Sequence, residues 1–224
     1  MFVPLLIAAV AGYLLGSLPF GYLVARAKGV NIFEVGSKSP GATNVRRVLG
    51  HGPGNLVLVL DALKGALASA WALLARVAAV AESDEGPAWL HFHVVGADWL
   101  AIGVGGLLGA LLGHGFSCFT RFRGGKSVAT AAGGFLVLFP LGSLIATAVW
   151  GLTLWLTRYV SLASMLAGVA LTVAAWLLHT PPIILGASAA AMIFVIIRHR
   201  ANISRLIAGT ESKVGSNKGQ PDAP

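Results

Sequence analysis

The sequence predicts an all-α, polytopic membrane protein with seven transmembrane helices, the N-terminus outside and the C-terminus in the cytoplasm. Three observations predict it. Of 224 residues, 56% are hydrophobic and 11% charged, against about 25% charged in a soluble domain. The mean hydropathy of +0.81 points the same way. The apolar residues fall in runs near the roughly 20 needed to cross a bilayer. The basic residues are confined to a few segments that seven spans place on one side.

Phe2 to Ala25 supplies the first span. No basic residue precedes it, so it reads as a retained helix rather than a cleaved signal peptide. Asn55 to Val80 and Trp99 to Gly113 supply the next two. Ser127 to Thr157 is too long for one span and carries Pro140 near its middle. It divides there into a fourth and a fifth helix. Leu162 to His179 and Ile183 to Ile197 complete the set, separated by Thr180-Pro181-Pro182.

The charges set the orientation. Loop 26–52 carries Arg26, Lys28, Lys38, Arg46 and Arg47; segment 114–126 carries Arg121, Arg123 and Lys126. Arg158 stands alone, and the tail carries Arg198, Arg200, Arg205, Lys213 and Lys218. These are 14 of the 16 basic residues, while the loop from Ala81 to Asp98 has four acids and no Lys or Arg. The positive-inside rule puts the basic segments in the cytoplasm. Six spans would put Arg158 and the tail on the wrong side. The net charge of +8 therefore reports cytoplasmic loops and not a nucleic-acid partner. Cys118, the single cysteine, excludes an internal disulfide. Residues 1–213 read as one membrane-embedded domain, and 214–224 as a disordered tail.

Three polar stretches on the basic side interrupt the apolar chain. The first, Gly36 to Arg47, combines glycines, hydroxyls and arginines, which suit an anion. A basic loop touching anionic headgroups would have the same composition. The second, Gly113 to Thr130, contains Gly124-Gly125-Lys126-Ser127. It resembles the end of a nucleotide P-loop but lacks the preceding strand and the first glycine. What remains is a helix start with an ammonium, which suits a phosphate; a tight turn with a snorkelling lysine is the structural alternative. The third is Arg198 to Arg205, followed by Glu211. If the last helix continues, Arg198, Asn202 and Arg205 share one face and His199 neighbours Asn202. Within the spans, Asp61 and Lys64 stand three residues apart and can neutralise each other. Ser161 and Ser164 stand at the start of the sixth span, where serines cap helices.

Taken together these stretches resemble the PlsY family of bacterial membrane acyltransferases. The matching pieces are Gly16-Ser-Leu-Pro19, Gly36-Ser37, Gly41-Ala-Thr-Asn44 with Arg47, Asp61-Ala-Leu-Lys-Gly65, Gly113-His114, Phe122 to Thr130, Arg158 to Ser164, and Arg198 to Asn202 with Arg205. They run in family order across nearly the whole chain. The resemblance implies transfer of a fatty acyl group from acyl phosphate to glycerol 3-phosphate at the cytoplasmic face of a bacterial inner membrane. It implies a catalytic set of Ser37, Arg47, Lys126, Asn202 and His199. Thr43, Asn44, His114, Gly124, Gly125, Ser164, Arg205 and Glu211 are expected to bind substrate or shape its site. Partners other than the two substrates and membrane lipid are not expected. Lys38-Ser39 departs from the family's usual Gly-Asn, and the loop 81–98 is longer than usual.

Other chemistries fit less well. His93 and Asp98 spell His-x4-Asp, the signature of an acyl-CoA-type acyltransferase family, but lie opposite every anion-binding stretch. A transporter needs polar sites at mid-membrane and often a repeat; neither is visible. The four aspartates are scattered over both faces, so no magnesium cluster and no cofactor are expected. An acyl phosphate is already activated, so positioning and charge neutralisation suffice.

Overall fold

A computed structural model describes residues 2–71, 73 and 98–215. Residues 81–97, and with them His93, lie outside the described residues, as does the tail beyond 215. Every regular element among the described residues is a helix, with no strand. The elements are α1 (Phe2–Ser17), α2 (Phe20–Arg26), α3 (Ala42–Leu49), α4 (His51–Ser69), α5 (Asp98–Gly115), α6 (Val128–Leu138), α7 (Pro140–Thr157), α8 (Val160–Leu177), α9 (Pro182–Arg198) and α10 (Arg200–Ile207).

Four stretches are long and apolar enough to cross a membrane: Phe2–Arg26, Trp99–Thr120, Pro140–Thr157 and Val160–Leu177. The pair α9 and α10, bent by 60°, makes a fifth if taken as one span. The division at Pro140 falls where the sequence places it, with the proline at the first position of α7, where its missing N–H costs nothing. α6 has 11 residues and so extends only roughly 17 Å, about half the hydrocarbon thickness. Its turn into α7 is buried: Phe139 joins the core, and Ser143 Oγ donates to the Ala132 carbonyl at 3.1 Å.

The first span is found as Phe2–Arg26, with its helix interrupted at Leu18-Pro19, because proline donates no N–H and biases the residue before it away from helix. The structure differs from the expectation in the segment that follows. The expected loop from Arg26 to Gly52 contains α3, and α4 begins at His51 rather than Asn55. Both follow from burial: Ile32, Phe33, Val45 and Val57 form a small core with Ala25 beneath the loop.

α5 is the central helix. Its glycines let backbones touch, as small residues do between membrane helices. A Cβ on Gly12 of α1 would collide with the Gly106 carbonyl, and one on Gly113 with the Tyr13 carbonyl. On its other side α5 joins Leu107 and Leu111 to Phe135, Leu171 and Ala187 from α6, α8 and α9. Apolar residues on the outer helices, such as Leu152, Trp155 and Trp176, point outward, a pattern suited to lipid.

Candidate active site

The first loop is organised by Asn44, which is buried. Its Oδ1 accepts from the Ser37 amide at 2.8 Å, and its Nδ2 donates to the carbonyls of Val35 at 3.1 Å and Ser39 at 3.0 Å. One side chain thus ties three points of the turn together. Lys38 has φ 55°, a left-handed conformation costing a non-glycine residue roughly 1 kcal/mol. A glycine would adopt this conformation without that cost. Ser37, Thr43 and Arg47 are exposed on this loop.

The second loop is clamped from two sides. Arg198 reaches it with Nε 3.1 Å from the Gly125 carbonyl and Nη2 3.0 Å from that of Gly124. From the opposite side the His114 carbonyl accepts the Gly125 amide at 3.0 Å. His114 itself is turned into the bundle, its Nδ1 3.5 Å from Asp61. Between these clamps Lys126 Nζ donates to Asn202 Oδ1 at 2.6 Å.

The third stretch does not continue as one helix. His199 donates Nδ1–H to the Val195 carbonyl at 2.8 Å, and its amide bonds the same oxygen. The chain bends there by 60°. The shared face expected of Arg198, Asn202 and Arg205 is therefore split. Arg198 turns to the glycine loop, while Asn202 and Arg205 turn to Glu211. Asn202 Nδ2 donates to Glu211 Oε1 at 2.6 Å, and Arg205 Nε to Oε2 at 2.7 Å.

Two contributors were not singled out as site residues in the sequence. Ser161 Oγ donates to Glu211 Oε1 at 2.8 Å. Ser164 instead donates to the Val160 carbonyl of its own helix at 2.8 Å and accepts from Trp150 Nε1 at 3.3 Å. The two serines share a face of α8, so the sequence offered no means of choosing between them. Arg158 donates from Nε to the Val214 carbonyl at 2.9 Å and accepts the Val214 amide at 2.9 Å. These bonds hold the irregular stretch carrying Glu211 against the α7–α8 turn.

The electrostatics follow from this crowding of cations. Burial pushes the Lys126 ammonium down to about 8; Glu211 opposes this, and the guanidiniums of Arg205, Arg47 and Arg198 add to it. Burial also takes His199 down to about 4, with the Lys126 charge reinforcing it against the Val195 bond and Glu211. His199 is therefore neutral at pH 7, with Nε2 free of a proton. Burial raises Glu211, but hydrogen bonds from Asn202, Ser161 and Arg205 outweigh it and hold the carboxyl below its ordinary value. Among the described residues no three His, Cys, Asp or Glu side chains form a metal-ligand group.

Fold and site together define a helical integral membrane protein with a cluster of basic side chains where its polar loops meet. The chain belongs to the glycerol-3-phosphate acyltransferase family, whose model matches residues 6–209. It is 42% identical over 216 residues to a glycerol-3-phosphate acyltransferase of Synechococcus sp. (strain JA-3-3Ab), covering 96% of each chain. To the enzyme of the same name from Fusobacterium nucleatum it is 39% identical over 204 residues, covering 90% of this chain and 93% of that one. The fold is similar to the crystal structure of PlsY (YgiH), an integral membrane glycerol 3-phosphate acyltransferase, in its glycerol 3-phosphate form. The TM-score is 0.79 at 37% identity, over 94% of this chain and 96% of that one. The lysophosphatidic acid form gives a TM-score of 0.75 at the same identity.

Proposed function

We propose that this chain transfers a fatty acyl group from acyl phosphate to the 1-hydroxyl of glycerol 3-phosphate, releasing 1-acyl-glycerol 3-phosphate and inorganic phosphate. One observation carries the reading. Lys126 lies within electrostatic range of Arg47, Arg198 and Arg205, and of one carboxylate, Glu211. Such an excess of positive charge around one partly buried ammonium is relieved by a phosphate.

Lys126, Arg47 and Arg205 neutralise substrate phosphate, and the Gly124 amide and the Ser37 hydroxyl bring further donors to it. The glycerol 3-phosphate hydroxyl attacks the acyl carbonyl directly, and phosphate leaves. His199 orients the hydroxyl by accepting from it at Nε2. A group titrating at about 4 is a weak base near neutrality, so the proton passes to an oxygen of the departing phosphate. Ser161 and Ser164 support the site from α8. No cofactor takes part.

The membrane arrangement belongs to the same proposal. α1, α5, α7 and α9 end at the loops of the site, and α4, α6 and α8 begin there. Seven passages through the bundle follow, with the site and C-terminus cytoplasmic, the N-terminus outside, and the chain in a bacterial inner membrane.

Purified protein given palmitoyl phosphate and glycerol 3-phosphate is expected to release one inorganic phosphate per acyl chain transferred. Equal turnover with palmitoyl-CoA would overturn the donor assignment. Radiolabelled acyl phosphate alone is expected to leave no label on the denatured chain; label at Ser37 or Ser164 that glycerol 3-phosphate discharges would overturn direct transfer.

A further inference from the structure

Two buried charges take no part in that chemistry. Asp61 and Lys64 lie on α4, each 2% exposed, with Nζ 3.0 Å from Oδ1. Neutralising each other explains the pair but not the rest of its contacts. A buried ion pair is often replaceable by apolar residues at no cost in stability, yet each member here also holds a different part of the site.

Lys64 Nζ donates to the Leu18 carbonyl at 2.9 Å, at the break between α1 and α2. Three residues on, Gly21 lies so close to the first loop that a Cβ would collide with the Pro40 carbonyl. Asp61 faces His114 at 3.5 Å. The His114 carbonyl holds the Gly125 amide, and a Cβ on Gly125 would collide with His114 Nε2. Pro40, Gly124 and Gly125 line one small cavity together with Asp61, Lys64 and His114. Both substrate loops are thus referred to the same turn of α4.

We propose that Asp61, Lys64 and His114 are positioning residues that set the separation of the Gly36–Arg47 and Gly124–Lys126 loops. They act through Leu18 and the Gly21–Pro40 contact, and through Gly125, and none touches substrate. The inference rests on the acyl-transfer reading of the site. Its mechanical part, the loop separation, can be measured without turnover.

The test uses the full chain in detergent. Asp61→Asn combined with Lys64→Met removes both charges and strands neither. His114→Gln leaves the ion pair in place and serves if the double variant fails to fold. Misplacing reacting groups by about 1 Å can cost about a hundredfold in rate. The folded variants are expected to lose kcat on that scale, with KM for glycerol 3-phosphate raised and the melting temperature close to that of the parent. Spin labels at Glu34 and Arg121, in a Cys118→Ser background, should give one narrow distance in the parent and a broadened or shifted one in the variants. Variants that melt earlier but turn over normally, with an unchanged label distance, would overturn the proposal. A parent that releases no phosphate from palmitoyl phosphate would overturn the acyl-transfer reading instead, and the label distances would still decide the positioning role.

Discussion

Lys126 is where charge, burial and geometry meet. Replacing it by alanine removes a charge-assisted contact worth about 1.5–3 kcal/mol, so kcat/KM should fall roughly ten- to a hundredfold or more while membrane insertion is unchanged. Full activity in Lys126→Ala would remove this residue from the site. Its titration gives a second test. The ammonium is charged below about pH 8 in the free protein, and kcat/KM reports the free enzyme. A pH profile should therefore decline above about 8, and Lys126→Arg should move that decline to higher pH. His199 predicts a stability effect of defined sign. Its folded value of about 4 lies below the ordinary 6.5, so the unfolded chain binds the extra proton between these limits. Stability is full above about 6.5 and falls as the pH drops toward 4, by on the order of 3 kcal/mol. Melting curves in detergent across that window should show the fall, and His199→Gln should flatten it. An equally steep fall in the variant would assign it to other groups.

Between helices, the decisive contacts are made by glycine backbones. Gly106 of α5 packs so closely on α4 that a Cβ would collide with the Ala68 carbonyl, whereas Gly151 of α7 has nothing within 4 Å of a Cβ. Overpacking costs typically 1–3 kcal/mol, and backbone cannot move aside as a side chain does. Gly106→Leu should lose the monodisperse protein peak on size exclusion, and Gly151→Leu should keep it; equal behaviour would show that α5 is not packed this tightly. Elements of this kind were only partly legible. Pro140 marked its turn because a proline inside a long apolar run cannot continue a helix. Pro19 sits in a comparable run, where it interrupts the helix between α1 and α2 inside a single candidate span. α3 was hidden among Gly, Pro and Arg, since Val45 and Val57 reveal their shared burial only in three dimensions. At the site, the residue types were legible and the pairings were not. Lys126 and Asn202 stand 76 positions apart, and the bend at His199 comes from a ring bonding a backbone carbonyl, which no periodicity records.

At the scale of the molecule, a single asymmetry organises everything. Contacts among the polar loops gather at one end of the helices: Lys126 to Asn202, Arg198 to Gly124, Ser161 to Glu211, and Arg158 to Val214. Charge follows the same division, with 14 of 16 basic residues on these loops and none between Ala81 and Asp98. Basic loops resist translocation, so this division orients the chain during insertion. In the proposed orientation the site lies on the side where a water-soluble phosphate ester is available. The exposed Cys118 is first replaced by serine, and single cysteines are placed at Ser83 in the acidic segment and Ser216 beyond the last helix. A membrane-impermeant thiol reagent on intact cells should label the first and spare the second, and permeabilisation should expose both. Labelling of Ser216→Cys alone would reverse the orientation. Labelling of both in intact cells would mean an even number of passages, and would put Arg158 and the C-terminal cations on the side opposite the loops they contact.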